Sequence, residues 1–511
     1  MWKVLLRARR SFARDENGNF GILFGFAAIP IIGLLGGAVD VTRHNRYEMT
    51  LLNAMDSAAI ALVRRGAKND AEADIFVNNY IDGVAAWHKA DDMLHLARFD
   101  ATEIEGGWRV EAKGNMDTAF LPVVGLRKMP LDLLAEVQMS GGKYEIALAL
   151  DNTGSMASHR RMQALRESAA QLVDDLYREE GTLDRVKMAL VPFVTAVNIK
   201  ADHGFNMDWI NPVGASDVYH LNFSKPVNRL ELFKQMGPRV SWRGCVEARE
   251  GHDEEDTPPI DAATRFVPYL WPDEPDDSGF NNSYLEDSVS GSDHNRLRDI
   301  EKYRVPRGTR VSDTTSLGPN AACPRALVPL TNDIDTMKHE IRLMKPHNES
   351  GGNSSGTNVA QGLLWAWRVL SDEAPFSEGV PYEDEETTKV LVLLSDGRNQ
   401  IVANNEVTES DYTSYSYLAD GRLGSEDNYL VAERAVDEKV KRICANIRGK
   451  NIRLYTILFE VDFERTQELF RNCASKDEDG KPLYYYVPDA SALESAFRKI
   501  GEDLTTLHVS R

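Results

Sequence analysis

At 511 residues, 42% hydrophobic and 27% charged, the chain has the composition of a folded protein and is too long for one small core, so two or more domains are expected. Acidic residues outnumber basic ones, 79 to 59. The resulting net charge of -20 excludes a general nucleic-acid binder, because the phosphate backbone would be repelled.

Residues 1–19 form a basic leader, with Lys3, Arg7, Arg9, Arg10 and Arg14 against Asp15 and Glu16. From Phe20 to Val39 there is no charged residue. As a helix this segment rises about 30 Å, the thickness of a bilayer core, and Pro30 in mid-span is tolerated there as a kink. The positive leader favours a cytoplasmic N-terminus, with the rest of the chain sent across. Gly36-Gly37-Ala38 also has the small residues of a signal-peptide cleavage site, although the apolar stretch exceeds the usual signal core. Either reading delivers Asp40 onward outside the cytoplasm. The four cysteines all lie beyond this segment, and of their three pairings sequence proximity favours Cys245–Cys323 and Cys444–Cys473. No Cys/His spacing suggests zinc.

Residues 40–142 read as a helix followed by a small mixed spacer. Tyr47, Leu51, Met55, Ala58 and Leu62 recur three or four residues apart, an apolar stripe that packs on its own domain or on a partner helix. Trp108–Ala112 and Leu134–Gln138 alternate apolar and polar residues as half-buried strands do.

From residue 143 to 511 the pattern changes. Buried-type runs at Tyr144–Leu150, Val186–Val194, Val390–Leu394 and Ile452–Phe459 alternate with helical stretches at Arg161–Tyr177, Ile334–Met344, Val359–Leu370, Glu433–Arg448 and Ala492–Leu507. Strands apolar throughout and separated by helices predict a doubly wound, mainly parallel α/β sheet. The segment at about 198–326 interrupts the alternation and reads as an insertion tied by Cys245–Cys323, since a structureless loop of that length is unexpected in a compact domain. Its acidic runs, Glu250–Pro259 and Asp273–Asp277, read first as a solvated face and second as a surface for a basic partner.

The chemistry concentrates at Asp151-Asn152-Thr153-Gly154-Ser155-Met156, where the first strand of this sheet hands over to the first helix. Asp151, Thr153 and Ser155 offer a carboxylate and two hydroxyls from alternate positions of one turn, hard oxygen donors suited to Mg2+ or Mn2+. Thr357 precedes a helix and Asp396 ends another buried strand. Ligands of open α/β sheets gather beyond the carboxyl ends of the strands, which is where all three segments are expected. The bland reading of the first segment is an N-cap. Asp477-Glu478-Asp479-Gly480 resembles half a calcium loop but reads better as an exposed turn, and Trp365 and Trp367 as packing residues. HExxH is absent from the sequence, and no nucleophile elbow or phosphate-cradling glycine loop is read from it.

The set Asp151, Thr153, Ser155, Thr357 and Asp396 resembles the metal-ion-dependent adhesion site of von Willebrand factor type A domains, with Thr in place of the more usual Ser at 153. A narrower resemblance rests on Arg14-Asp15-Glu16-Asn17-Gly18-Asn19-Phe20, Asp56-Ser57-Ala58-Ala59, Trp242–Arg249, Cys323-Pro324, Gly362–Phe376 and Asn472-Cys473-Ala474. These segments are similar to TadG-like proteins of tight-adherence (Flp) pilus systems. Pilin-like members carry a Glu shortly after the glycine that precedes the apolar run; here Gly18 is followed by none, so the resemblance does not extend to prepilin-type processing.

The resemblance implies a single-pass protein of the bacterial inner membrane with its bulk in the periplasm. It implies a non-enzymatic scaffold that binds protein partners through a divalent metal, Mg2+ first and Mn2+ or Ca2+ as alternatives, with a partner carboxylate completing the coordination. Direct adhesion to surfaces or matrix through the same site is the alternative. No general base accompanies the metal loops, which disfavours metal-assisted hydrolysis.

Overall fold

The computed structural model describes residues 18–65, 67, 69–84, 92–104, 107–138, 143–177, 185–277, 279–347 and 356–505. Most of the basic leader and the Leu507 end of the last expected helix lie outside these residues. The chain falls into two compact units that divide between residues 141 and 142.

The first unit is built on α1 (Gly18–Arg65), a 48-residue helix that runs through Pro30. It is one helix with two kinds of surface. In its first half Phe26 and Leu34 are 75% and 77% exposed, while in its second half Leu51, Met55, Ala58 and Leu62 are fully buried. The expected stripe therefore packs on its own unit, together with Ala73, Val77 and Ile81 of α2 (Asp70–Val84) and the sheet that follows. That sheet is antiparallel: β1 (Leu94–Leu96) and β2 (Asp100–Ile104) pair with β3 (Gly107–Asp117), and β3 pairs along its length with β4 (Lys128–Gln138). Trp108, Val110 and Ala112 of β3 and Leu131, Leu133, Ala135 and Val137 of β4 face this core, the period-2 pattern of a sheet covered on one side. Within α1, Phe24–Leu62 is long and apolar enough to cross a membrane, and the exposed apolar half is consistent with single-pass anchoring.

In the second unit β5 (Lys143–Asp151) and β6 (Val186–Phe193) flank the connecting helix α3 (Arg161–Leu176) in sequence and pair in parallel. After β6 comes the insertion, which is ordered by short elements: β7 (Val197–Asn198), α4 (Arg229–Gln235), β8 (Cys245–Val246) and α5 (Asp293–Arg298). The chain then resumes with β9 (Val328–Thr331), α6 (Ile334–Leu343), α7 (Val359–Arg368), β10 (Thr387–Ser395), α8 (Tyr429–Gly449), β11 (Arg453–Phe459), α9 (Glu464–Cys473), β12 (Tyr484–Val487) and α10 (Ala490–Thr505).

Across the sheet the strands run β9-β6-β5-β10-β11-β12, with β9 antiparallel and the rest parallel. This is the doubly wound α/β fold expected from the sequence, with the switch point between β5 and β10. Alternate residues of β5 feed two cores, Ile146, Leu148 and Leu150 on one face and Ala147 and Ala149 on the other. A strand buried on both faces has no polar side to alternate, hence its continuous apolar run.

The acidic runs of the insertion depart from the solvated face expected of them. Asp273 and Glu274 are wholly buried. Asp273 lies 3.0 Å from the Lys302 ammonium, and Glu274 accepts from the Trp271 indole at 2.9 Å and the backbone N–H groups of Asn281 and Asn282 at 2.8 Å. Glu254, in the other run, pairs with Lys439 and Arg442 of α8. A buried Glu247 meets two guanidinium groups, Arg229 and Arg422, and the Tyr412 hydroxyl. Glu247 and Glu254 fasten the insertion onto the domain, while Asp273 pairs within it. Trp365 and Trp367 are buried in the core.

Both disulfides join the expected partners, Cys245 with Cys323 and Cys444 with Cys473. The second ties α8 to α9 across 29 residues of sequence, for which the chain-entropy account gives about 3–4 kcal/mol. Replacing both Cys444 and Cys473 with Ala should lower unfolding stability by that order in denaturant titrations; an unchanged midpoint would show that the crosslink constrains little.

Candidate metal centre at the carboxyl edge of the sheet

Parallel pairing fixes the geometry of the site. Leu150 of β5 stands opposite Leu394 of β10, so Asp151 leaves the sheet beside Ser395, and Asp396 follows immediately. The Asp151 carboxylate accepts the Thr153 N–H at 2.7 Å on one oxygen and the Ser395 hydroxyl at 2.5 Å on the other. The Thr153 and Ser155 hydroxyls lie 3.0 Å apart, and Ser155 donates to Asp396 at 2.6 Å. Four of the five expected site residues are thus joined in one hydrogen-bonded chain with Ser395.

The fifth arrives from a different loop. Thr357 forms an isolated bridge with Gln400, its N–H donating to the Gln400 carbonyl at 3.1 Å and its own carbonyl accepting at 3.0 Å. The approach needs glycine beforehand: Gly356 has φ +78°, and a Cβ there would stand 2.1 Å from the Gln400 oxygen. Thr357 Oγ1 lies 3.8 Å from where a Cβ on Gly397 would stand, next to Asp396. Asn358 then caps α7, its side chain accepting from the Gln361 N–H, while its amide donates to Ser414 and Thr195.

Two participants carried no role in the sequence reading. Ser395 sits within the strand-end motif yet drew no attention beside Asp396. Arg161, the first residue of α3, donates from Nη1 to Asp396 at 2.8 Å and from Nε to Glu460 at 2.8 Å. A cation at a helix N-terminus opposes the macrodipole, so an Arg there signals an acidic partner elsewhere in the fold. Glu460 also lies 3.4 Å from the His159 ring.

Asp151 is fully buried, and its pKa is pushed up from 3.8 to about 7, first by burial and second by the charge of Asp396. Burial also raises Asp396, against the pull of Ser155 and Arg161. Two buried carboxylates at neighbouring strand ends repel, and Arg161 answers only one of them while Asp151 is met by neutral donors. The donors gathered here, carboxylate and hydroxyl oxygens, are those a hard divalent cation takes, and their uncompensated charge fits one.

The raised pKa has a sign that can be checked. A carboxyl whose pKa is higher in the folded than in the unfolded chain costs stability as pH rises from about 4 towards 7. In chelator, the melting temperature of the wild type should therefore fall between pH 5 and pH 8 more steeply than that of Asp151→Asn. Superimposable pH profiles would remove the repulsion from the account.

The family model Tad, described as Flp pilus-assembly TadE/G-like, matches residues 18–65, the same residues that form α1. The pilus-assembly resemblance expected at the N-terminus is therefore present in that segment. No curated protein matches the chain. Among solved structures, the vWF domain of the type V pili tip protein Mfa5 from Porphyromonas gingivalis is similar at 11% identity and a TM-score of 0.35, covering 71% of this chain and 95% of that one. The PilB minor pilin from Streptococcus sanguinis matches at 12% identity and TM-score 0.32, over 81% of this chain and 78% of its own. The pilus adhesin RrgA from Streptococcus pneumoniae matches at 10% and 0.35, over 81% of this chain and 49% of its own.

Proposed function

We propose that this chain is a membrane-anchored assembly or scaffold protein of a tight-adherence (Flp) pilus or related secretion system. In this reading it engages protein partners through a divalent metal held by Asp151, Thr153, Ser155, Thr357 and Asp396. The observation that carries the metal half is the pair of buried, mutually repelling carboxylates brought to one sheet edge with hydroxyls between them. The TadE/G-like match over residues 18–65 supports the pilus half. The basic leader supports an N-terminus in the cytoplasm, with the remainder in the periplasm.

A divalent cation held by these residues, Mg2+ first, would supply positive charge for a partner carboxylate to meet. The chain's own residues supply orientation. Ser395 and the Thr153 N–H fix the Asp151 carboxylate, and Ser155 and Arg161 fix that of Asp396. Arg161, shared with Glu460, keeps part of the negative charge neutralised and so limits how tightly the cation is drawn in. The reading assigns these groups to binding and not to catalysis.

Adding millimolar Mg2+ should raise the melting temperature of the wild type and leave Asp151→Ala unchanged. In cells lacking this protein, wild type should restore surface pili and a stably expressed Asp151→Ala should not. Pili restored equally by both would confine the metal site to stability or to a later adhesive step. A deletion that leaves pili unchanged would overturn the assembly role and favour direct adhesion.

A further inference from the structure

The turn between β3 and β4 reads Ala119-Phe-Leu-Pro-Val-Val-Gly-Leu126, and it is apolar where a hairpin connection is ordinarily polar. Phe120, Val123, Val124 and Leu126 are each between 43% and 55% exposed. An exposed patch of this kind on a folded chain marks a contact surface.

The turn lies along the apolar half of α1. A Cβ at Gly36 would stand 2.3 Å from Phe120, one at Gly37 3.0 Å from Leu121, and one at Gly33 3.0 Å from Val124. The three glycines therefore open a groove in the helix into which the turn settles. At its mouth the Asp40 carboxylate accepts the N–H groups of Ala119, Phe120 and Leu121 at 3.0, 2.8 and 2.9 Å. From Asp40 to Gly33 the helix advances about 10 Å, so Val124 stands about that far inside the level at which the span ends.

Much of the turn's backbone, its N–H groups above all, is answered within the unit. Pro122 has no N–H, and Asp40 takes those of residues 119–121. Val123 donates to Phe120, Gly125 to Pro122 and Leu126 to Leu121, while the Leu126 carbonyl accepts the Thr118 hydroxyl at 2.6 Å. Irregular backbone enters hydrocarbon only when its polar groups are answered internally. Directly after the turn come Arg127 and Lys128, both exposed, placed where lipid phosphates would meet them.

We infer that this turn is a second membrane contact, inserted beside α1 into the leaflet on the side from which Asp40 emerges, with Phe120, Val123, Val124 and Leu126 facing lipid. The inference rests on reading α1 as a membrane span. What selects lipid over a protein partner is the position: the turn packs on glycines inside the apolar run, at a depth the bilayer already occupies.

All four native cysteines are in disulfides, so a single introduced cysteine carries a spin label uniquely. The full chain is reconstituted into phosphatidylethanolamine and phosphatidylglycerol vesicles with the label at Val124→Cys, at Leu34→Cys in the span, or at Lys113→Cys on the sheet. Collision with oxygen and with a water-soluble nickel chelate is then measured for each. The expected result is that Val124→Cys resembles Leu34→Cys, with its oxygen-to-nickel accessibility ratio several-fold above that of Lys113→Cys, and that Val123→Cys behaves likewise. A lipid-like Leu34→Cys beside a water-like Val124→Cys and Val123→Cys overturns the inference and leaves the anchor intact, directing the apolar turn to a protein partner instead. Water-like labels at all positions overturn both.

Discussion

The register of β5 against β10 is the constraint from which the rest of the second unit follows. Because the strands are parallel and Leu150 faces Leu394, two carboxylates reach the same sheet edge with one serine between them. Burying one carboxylate is expensive, and burying two in proximity is more so. The fold meets that cost with a row of neutral donors and one guanidinium. The donors come from three separated stretches of chain: Thr153 and Ser155, Arg161, and Ser395. A first strand at the centre of the sheet makes this possible, since chain leaving β5 winds outward through β6 to β9 and returns to β10 beside its starting point. The switch point is also the one edge where loops diverge and leave space between them.

That geometry also governs where a long insertion is tolerated. The insertion follows β6, and its two short strands extend the sheet from the end of β6 through β7 and β8. A segment of this size cannot float on solvent, and it is held by charge as much as by apolar packing. Breaking one partner of such a buried pair strands the other, so these pairs fix position even where their net contribution to stability is small. Glu247 with Arg422 and Glu254 with Arg442 join the insertion to chain 175 and 188 residues away, while Glu247 with Arg229 and Asp273 with Lys302 order the insertion itself.

This is why the sequence disclosed the sheet and the oxygen cluster but misjudged the acidic runs. A strand buried on both faces announces itself locally, as Tyr144–Leu150 does, and so does a carboxylate followed by hydroxyls at alternate positions. A buried ion pair announces nothing, because Asp273 looks the same in a sequence whether or not Lys302 waits for it. Arg161 was hidden likewise, its purpose set by Asp396 more than two hundred residues on. β9 and β12 are four residues each, too short to show a period. The apolar turn at 119–126 passed unnoticed because its significance lies in Gly33, Gly36 and Gly37, which read on their own as ordinary small residues of a span.

α1 shows how one element can satisfy two solvents. Its first half is apolar, with Phe26 and Leu34 exposed, and its second half buries one face, with Leu51, Met55, Ala58 and Leu62 inside. The change falls near Asp40, the first charged residue after the span. Buried without partners, that carboxylate would be costly; here it accepts three N–H groups of the turn, which answers its charge and holds the turn against the helix. The N–H groups of residues 119–121 thus do for Asp40 what Ser395 and Arg161 do for Asp151 and Asp396. In each case a carboxylate placed by regular structure is made tolerable by donors from another stretch of the chain, and the pairing thereby fixes where that stretch must lie.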